Sequence, residues 1–233
     1  MKKKKFLIAT LGIFLAVCTF CASYNYSDIS EFTSAAMDLP KTVIIDAGHG
    51  GFDGGAVAED GTSEKNINLN IALTVGDMLS LNGVRVVYTR TEDTGTEDDS
   101  GDDIRNRKIS DLNNRLKVMK ENPDAVFVSV HLNKFTTAKV SGAQVFYSDN
   151  FEESRVIGNL IQTSIKERLQ NDNDRVIKKA TADTFLLHKA VVPAVIVECG
   201  FLSNQKELEL LKNEEYQAKM AFAIFCGIND YLN

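Results

Sequence analysis

The chain has 233 residues, of which 44% are hydrophobic and 25% are charged. This composition excludes an extensively disordered protein, and the length suits one α/β domain rather than two large ones. Once the four lysines among the first five residues are set aside, 22 basic residues face 32 acidic ones, a formal net charge of −10. A chain this acidic is not expected to bind nucleic acid.

The N-terminus has the pattern of an export segment. Residues 1–5 carry four lysines, and an uncharged, mostly apolar run of 17 residues follows from Phe6 to Ala22. The run is shorter than the roughly 20 apolar residues that cross a bilayer, so we predict a signal peptide or signal anchor over residues 1–23 and leave its cleavage open. The polar residues 24–40 are interpreted as a linker. Membrane contact is therefore expected only through the N-terminal segment.

From residue 41 to residue 233, short β-branched runs alternate with helical patterns. Apolar residues repeat at helical spacing in residues 66–81 and 156–169, and a last helix is predicted from about Glu215 to Tyr231. Such alternation indicates a single α/β domain with a mostly parallel sheet and helices on both faces. The predicted strands are residues 42–46, 84–89, 125–130, 143–147 and 194–197.

One segment, residues 91–103, interrupts this pattern. It contains seven acidic residues, two glycines and no large apolar side chain. The composition predicts a solvated loop. A calcium-binding loop is the alternative, but the spacing lacks the central glycine and the terminal glutamate of an EF-hand.

Two of the three histidines come directly after predicted strands. His49 follows the strand predicted over residues 42–46, and His131 follows the one over residues 125–130. Because the carboxyl ends of parallel strands form the ligand-binding edge of a sheet, both imidazoles are expected in one crevice. Either histidine taken alone is equally consistent with a hydrogen-bonded loop residue.

Glu64 lies 15 residues after His49, beyond a loop with five glycines and just before the helix predicted from Asn66. A carboxylate that folds back to the two imidazoles would complete the three-ligand set of a catalytic zinc, with one open position. The alternative is a carboxylate at a helix N-terminus, where the helix dipole favours it.

Glu198 ends the apolar run of residues 193–197, and apolar residues follow it as well. We interpret it as a general base at the end of a buried strand, with a structural carboxylate tied to backbone donors as the alternative. Beside zinc-activated water, such a base could pass a proton to a leaving amine. Amide hydrolysis is the reaction that this set of residues favours.

Three segments carry a resemblance to a known family. Residues 44–51, 130–133 and 198–204 resemble the motifs of zinc-dependent N-acetylmuramoyl-L-alanine amidases, in the family's order. With Thr89–Arg90 and the helix that contains Arg115, the resemblance covers residues 42–232. It implies a sheet of six strands, mostly parallel and flanked by helices.

The resemblance also implies a site and a reaction. His49, Glu64 and His131 match the family's Zn²⁺ ligands, and Glu198 matches its catalytic glutamate. The implied substrate is peptidoglycan, cleaved at the amide between N-acetylmuramic acid and L-alanine, and the resemblance also implies that an activator protein can be a partner. A metal-dependent peptidoglycan deacetylase and a non-catalytic wall-binding protein with the same fold are the alternatives.

A single small domain behind an export segment resembles the germination-specific amidases of spore formers. With a deacetylase, those enzymes prepare muramic lactam in cortex peptidoglycan. The resemblance therefore implies an exported hydrolase of the cell envelope, membrane-anchored or secreted, with a role in spore cortex maturation and a location at the forespore surface. The vegetative wall stays open as a substrate.

Overall fold

The computed structural model describes residues 42–98 and 103–233, so the predicted signal and linker lie outside the described residues. The strands within this part of the chain are β1 (Thr42–Ala47), β2 (Arg85–Tyr88), β3 (Ala125–Asn133), β4 (Gln144–Tyr147), β5 (Lys178–Lys179) and β6 (Ala194–Phe201). Its helices are α1 (Glu64–Leu81), α2 (Ile104–Glu121), α3 (Glu152–Arg168), α4 (Phe185–His188), α5 (Gln205–Lys212) and α6 (Glu214–Leu232).

The six strands form one sheet in the order β2-β1-β3-β6-β4-β5. β2, β1, β3 and β6 are parallel neighbours. β4 runs antiparallel to β6, and β5 pairs with β4 in parallel. This confirms the prediction of a six-stranded, mostly parallel sheet in a single α/β domain.

Helices cover both faces of the sheet, as predicted. Along β1, Val43 and Ile45 point into a core that includes buried residues of α1, α3, α5 and α6. Ile44 points into the opposite core, which contains residues of α2 and α4. Strands buried on both faces are continuous apolar runs rather than alternating ones, which is why the β-branched segments were recognisable in the sequence.

β3 and β6 extend further than predicted, and this corrects the placement of two candidate site residues. The pairing of these strands continues through His131 and Glu198 and becomes irregular between His131 and Asn133. His131 therefore lies within β3, and Glu198 lies within β6, three residues before its last residue, Phe201. Both positions are still close to the carboxyl ends of their strands.

Some elements gave little sequence signal. β5 has two residues and α4 has four, which is too short for a periodic pattern. α2 was recognised only as the helix that contains Arg115, because its buried residues are few: Arg115, Leu116 and Met119. In the described part of the chain, the helices are too short or too polar to span a membrane.

Candidate metal centre

The candidate site lies at the carboxyl edge of the sheet, between β1 and β3. The chain leaves β1 toward β2 on one side, whereas β3 pairs with β1 on the other side. A crevice opens at such a reversal of strand order, and ligands of open α/β sheets bind there. His49 lies two residues beyond β1, and His131 lies within β3.

His131 and Glu198 face each other on adjacent strands. They are register partners in the parallel pairing of β3 and β6. Phe127 lies four residues before His131, and Ile196 lies two residues before Glu198. Both belong to the core under α2 and α4. Because strand side chains alternate between faces, His131 and Glu198 share that face of the sheet.

Glu64 joins the two histidines. It is the first residue of α1, and its Oε1 lies 3.0 Å from His131 Nδ1 and 3.3 Å from His49 Nε2. His49, Glu64 and His131 each offer one ligand atom, and these three atoms lie within 4.8 Å of one another. Glu64 also occupies the helix N-terminus that was predicted as its alternative role, but its carboxylate contacts the two imidazoles.

The Glu64 carboxylate is buried and accepts several hydrogen bonds. Its Oε2 accepts from the Ala56 amide at 2.8 Å, and its Oε1 accepts from the Leu132 amide at 3.0 Å and from Asn68 Nδ2 at 3.1 Å. Burial opposes ionisation, but hydrogen bonds and charge from His131 and His49 outweigh it and lower the pKa of Glu64. The carboxylate is therefore ionised and fixed, as a metal ligand requires.

Asp53 holds the other side of His49. Its Oδ2 accepts from His49 Nδ1 at 2.9 Å, and its Oδ1 accepts from the Gly55 amide at 3.2 Å. Burial disfavours the imidazolium, but Asp53 and Glu64 overcome this effect and raise the pKa of His49 to about 9. In the metal-free protein at neutral pH, His49 is therefore protonated and carries the positive charge that pairs with the carboxylates of Asp53 and Glu64.

Sequence reasoning missed Asp53 and Asn68. Asn68 was findable, since it lies four residues after Glu64 in a predicted helix and therefore on the same face. Asp53 is also four residues from its partner, but in a loop, where spacing implies no contact. Its position depends on backbone hydrogen bonds between Gly50 and Asp53, which no sequence pattern predicts.

Glu198 has the environment of a general base. Its Oε2 is buried and accepts no hydrogen bond from the described residues. Burial raises the pKa of Glu198 to about 7, with Glu64 adding to the effect and His131 and His49 opposing it. A carboxylate with a pKa near neutrality can both take and return a proton.

Two arginines fix the loop that carries His49. Arg115 donates to the carbonyl of Ala47 at 2.9 Å and to that of His49 at 2.8 Å. Arg90 donates to the same Ala47 carbonyl at 2.9 Å and to the Gly48 carbonyl at 3.1 Å. The carbonyls at and just after the end of β1 therefore have charged donors, which hold the backbone of His49, a candidate metal ligand, in place.

The acidic segment supports this loop from outside. A Cβ on Gly50 would come within 2.3 Å of the Thr94 carbonyl oxygen, so the two backbones are in contact. Asp93 accepts from the Gly51 amide at 3.0 Å and pairs with Lys65 at 2.7 Å. Residues 91–98 of the predicted solvated loop are thus partly exposed but anchored, with residues 95–97 half-buried. Residues 99–102 lie outside the described residues, and Asp103, the last residue of the predicted loop, caps the N-terminus of α2.

The donor set fits zinc. Two imidazoles and one carboxylate are one of the ligand sets of catalytic zinc sites. His49 is oriented by Asp53, Glu64 is oriented by backbone amides, and His131 is oriented by its place in β3 and its contact with Glu64. The unpartnered Oε2 of Glu198 provides an acceptor next to this set. His49, Glu64 and His131 are therefore the residues that would hold the ion.

Comparison with known proteins identifies the family. The family described as N-acetylmuramoyl-L-alanine amidase matches residues 43–230 of the chain. The chain belongs to this family. The amidase is also 33% identical over 231 residues to the germination-specific N-acetylmuramoyl-L-alanine amidase of Bacillus subtilis, an alignment that covers 99% of this chain and 95% of the relative.

Solved structures agree with this assignment. The CwlD amidase from Clostridioides difficile, determined in complex with the GerS lipoprotein, has a TM-score of 0.79 and 40% identity to this amidase. The match covers 82% of this chain and 98% of that one. The catalytic domain of CwlV from Bacillus (Paenibacillus) polymyxa has a TM-score of 0.67 and 33% identity, covering 82% and 97%. Among the functions considered from the sequence, the family favours the amidase over the deacetylase.

Proposed function

We propose that this amidase is a zinc enzyme that binds Zn²⁺ through His49, Glu64 and His131 and uses Glu198 as its general base. One observation carries the proposal: three ligand atoms lie within 4.8 Å of one another, with Glu198 the register partner of one ligand. Bound zinc supplies Lewis-acid polarisation of the scissile carbonyl and lowers the pKa of water.

The chain's own residues supply the proton transfers. Glu198 Oε2 accepts a proton from the attacking water and then donates it to the amine of L-alanine as the amide bond breaks. Asp53, Asn68 and the amides of Ala56 and Leu132 hold the ligands while this happens. The products are a lactyl carboxylate on the sugar and a stem peptide with a free N-terminus.

Product analysis tests this proposal. Purified peptidoglycan is incubated with the protein with added zinc, and again after the protein has been stripped of metal by a chelator. We expect stem peptides with a new L-alanine amino terminus, released only when zinc is present. Free acetate instead of that amino terminus would establish the deacetylase alternative, and release by metal-stripped protein would exclude the zinc mechanism.

We further propose that the substrate is spore cortex peptidoglycan, where the cut leads to muramic lactam. The support is the full-length similarity to the germination-specific amidase of Bacillus subtilis. The test is expression of this chain in a B. subtilis strain that lacks that enzyme, followed by mass spectrometry of spore muropeptides. Restored muramic lactam supports the cortex role, whereas lactam-free cortex despite active enzyme would assign the vegetative wall.

We also propose that the protein is exported to the cell envelope through residues 1–23 and binds an activator lipoprotein there. The support is the basic and apolar N-terminus, together with the complex of CwlD with the GerS lipoprotein. Co-purification from envelope extracts with a tagged chain would identify such a partner. Zinc affinity measured with and without the isolated partner would show whether it acts on the metal centre.

A further inference from the structure

His49 has a carboxylate at each ring nitrogen. Nδ1 lies 2.9 Å from Asp53 Oδ2, and Nε2 lies 3.3 Å from Glu64 Oε1. An ionised carboxylate only accepts hydrogen bonds, so the bond to Asp53 places a ring proton on Nδ1. In the neutral ring, this leaves the lone pair on Nε2, the nitrogen that faces the other ligands. A metal binds only that deprotonated nitrogen.

The backbone sets the position of Asp53 independently of its side chain. Gly50 and Asp53 exchange two backbone hydrogen bonds, of 2.9 and 3.0 Å, so that the loop turns back on itself. The second carboxylate oxygen, Oδ1, accepts from the Gly55 amide at 3.2 Å and lies 3.3 Å from Lys108 Nζ. Asp53 is thus held in place by contacts that do not involve a metal.

The conformation of His49 explains why its ring needs such a contact. His49 is the non-glycine residue with a positive φ, 63°, among the described residues, and it lies outside any strand or helix. His131, by contrast, is oriented by its place in β3. The ring of His49 is therefore oriented by its contacts rather than by strand geometry: Asp53 binds Nδ1, and Gly55, on which a Cβ would come within 2.7 Å of the ring, packs against it.

We propose that Asp53 is the positioning residue of the metal centre, which fixes the tautomer and the ring orientation of His49 and thereby sets the affinity for zinc. This inference rests on the proposed zinc site. Asp53 acts through His49 and is not counted as a ligand or as a catalytic residue. Groups that orient ligand imidazoles in this way contribute roughly 10–100-fold to metal affinity.

The experiment measures the zinc affinity of the full chain by competition with a coloured chelator. Asp53→Ala is expected to bind zinc about 10–100-fold more weakly than wild type. Asp53→Asn, whose amide oxygen still accepts from Nδ1, is expected to lose less. Asp93→Ala is the matched control, because it removes a hydrogen bond to Gly51 in the same loop but contacts neither histidine.

A second readout separates positioning from loop stability. Nitrogen-15 NMR of the histidine rings in the zinc-loaded protein is expected to show His49 bound through Nε2, with an Nδ1 proton that exchanges slowly with water in wild type and Asp93→Ala and faster in Asp53→Ala. Equal zinc affinity of wild type and Asp53→Ala would overturn the inference, as would an equal loss in Asp93→Ala or unchanged exchange of the Nδ1 proton. A wild type that binds no zinc would overturn the proposed metal centre as well.

Discussion

Glu198 differs from a structural carboxylate in its hydrogen bonding. Its Oε2 is buried without a hydrogen-bond donor among the described residues, and burial raises its pKa. A structural carboxylate would instead accept hydrogen bonds from nearby backbone amides, as Glu207 does from Gly142 and Phe201 at 2.8 Å. Burial raises the pKa of both glutamates, so they differ in the hydrogen-bond donors that Glu198 Oε2 lacks among the described residues, and this difference favours the catalytic interpretation of Glu198.

Replacing Glu198 by glutamine is therefore expected to abolish most activity and keep the metal. Glutamine preserves the shape of the side chain but cannot accept a proton, so kcat should fall by roughly 10²–10⁴. Stem-peptide release gives the rate, and metal analysis of the same sample gives the zinc content. Glu214→Gln, on an exposed residue at the start of α6, is the control. Full activity in Glu198→Gln would place the base elsewhere.

At the scale of residues, the sequence predicted the four candidate site residues but not the residues that hold them in place. His49, His131 and Glu198 stood out because polar residues follow apolar strands, and Glu64 was assigned by resemblance. Asp53 could not be predicted because its contact with His49 depends on how the glycine-rich loop turns. The exact strand positions of His131 and Glu198 were also missed, because β-pairing, rather than local composition, decides where a strand ends.

At the scale of elements, the loop after β1 is packed without spare room. A Cβ on Gly48 would come within 2.2 Å of the His131 ring. We expect Gly48→Ala to displace His131 and to lower both zinc content and activity while the sheet still forms. Gly61→Ala is the control: Gly61 has a positive φ of 88°, but a Cβ there would meet no atom within 4 Å apart from the adjacent residues, so the substitution should cost only about 1–2 kcal/mol of stability. Normal zinc content in Gly48→Ala would contradict this account.

The ion pair between α2 and β1 is buried. Arg115 and Asp46 are 2% and 0% exposed, and Asp46 also accepts from the hydroxyls of Ser129 and Thr89. Burial opposes ionisation, but Arg115 and these hydroxyls lower the pKa of Asp46 below its usual 3.8. This stabilisation is therefore fully present at neutral pH and is lost as the pH falls through the lowered pKa.

Removing the arginine should be strongly destabilising at neutral pH. Arg115→Met leaves the Asp46 charge buried and unpaired, which costs about 3–5 kcal/mol in the free energy of unfolding. Because Asp46 can then take up a proton, the difference from wild type should shrink as the pH falls toward about 4. Urea denaturation of zinc-free protein at both pH values measures this. The control is Lys117→Met, at an exposed ion pair with Glu121, which should change the free energy of unfolding by less than about 0.5 kcal/mol. A similar loss of stability in both variants would contradict the prediction.

Elements were predictable where burial left a repeating pattern. β1, β3 and β6 lie in the middle of the sheet and are apolar on both faces, so their sequences were unmistakable. The helices α1 and α3 were found from their spacing. The antiparallel direction of β4 could not be predicted, since nothing in a strand of four residues distinguishes the two directions of pairing.

At the scale of the whole molecule, residues 41–233 are proposed to be the catalytic domain. The described part of the chain contains the six-stranded sheet, the two cores and all four candidate site residues. Expressed alone, this fragment should show the circular dichroism of an α/β protein, unfold in one cooperative transition and release stem peptides at the rate of the full chain. A fragment that fails to fold, or that folds without activity, would show that residues 1–40 contribute to the domain.

The register between His131 and Glu198 has a consequence for protein engineering. Their separation is set by backbone hydrogen bonds between β3 and β6, at the interstrand spacing of about 4.8 Å that sheets have in common. It does not depend on the helices that enclose this particular fold. A histidine and a glutamate grafted at facing positions near the carboxyl ends of two parallel strands should reproduce the pair in an unrelated α/β scaffold. The designer would then still have to build the loop and the helix N-terminus that present the counterparts of His49 and Glu64.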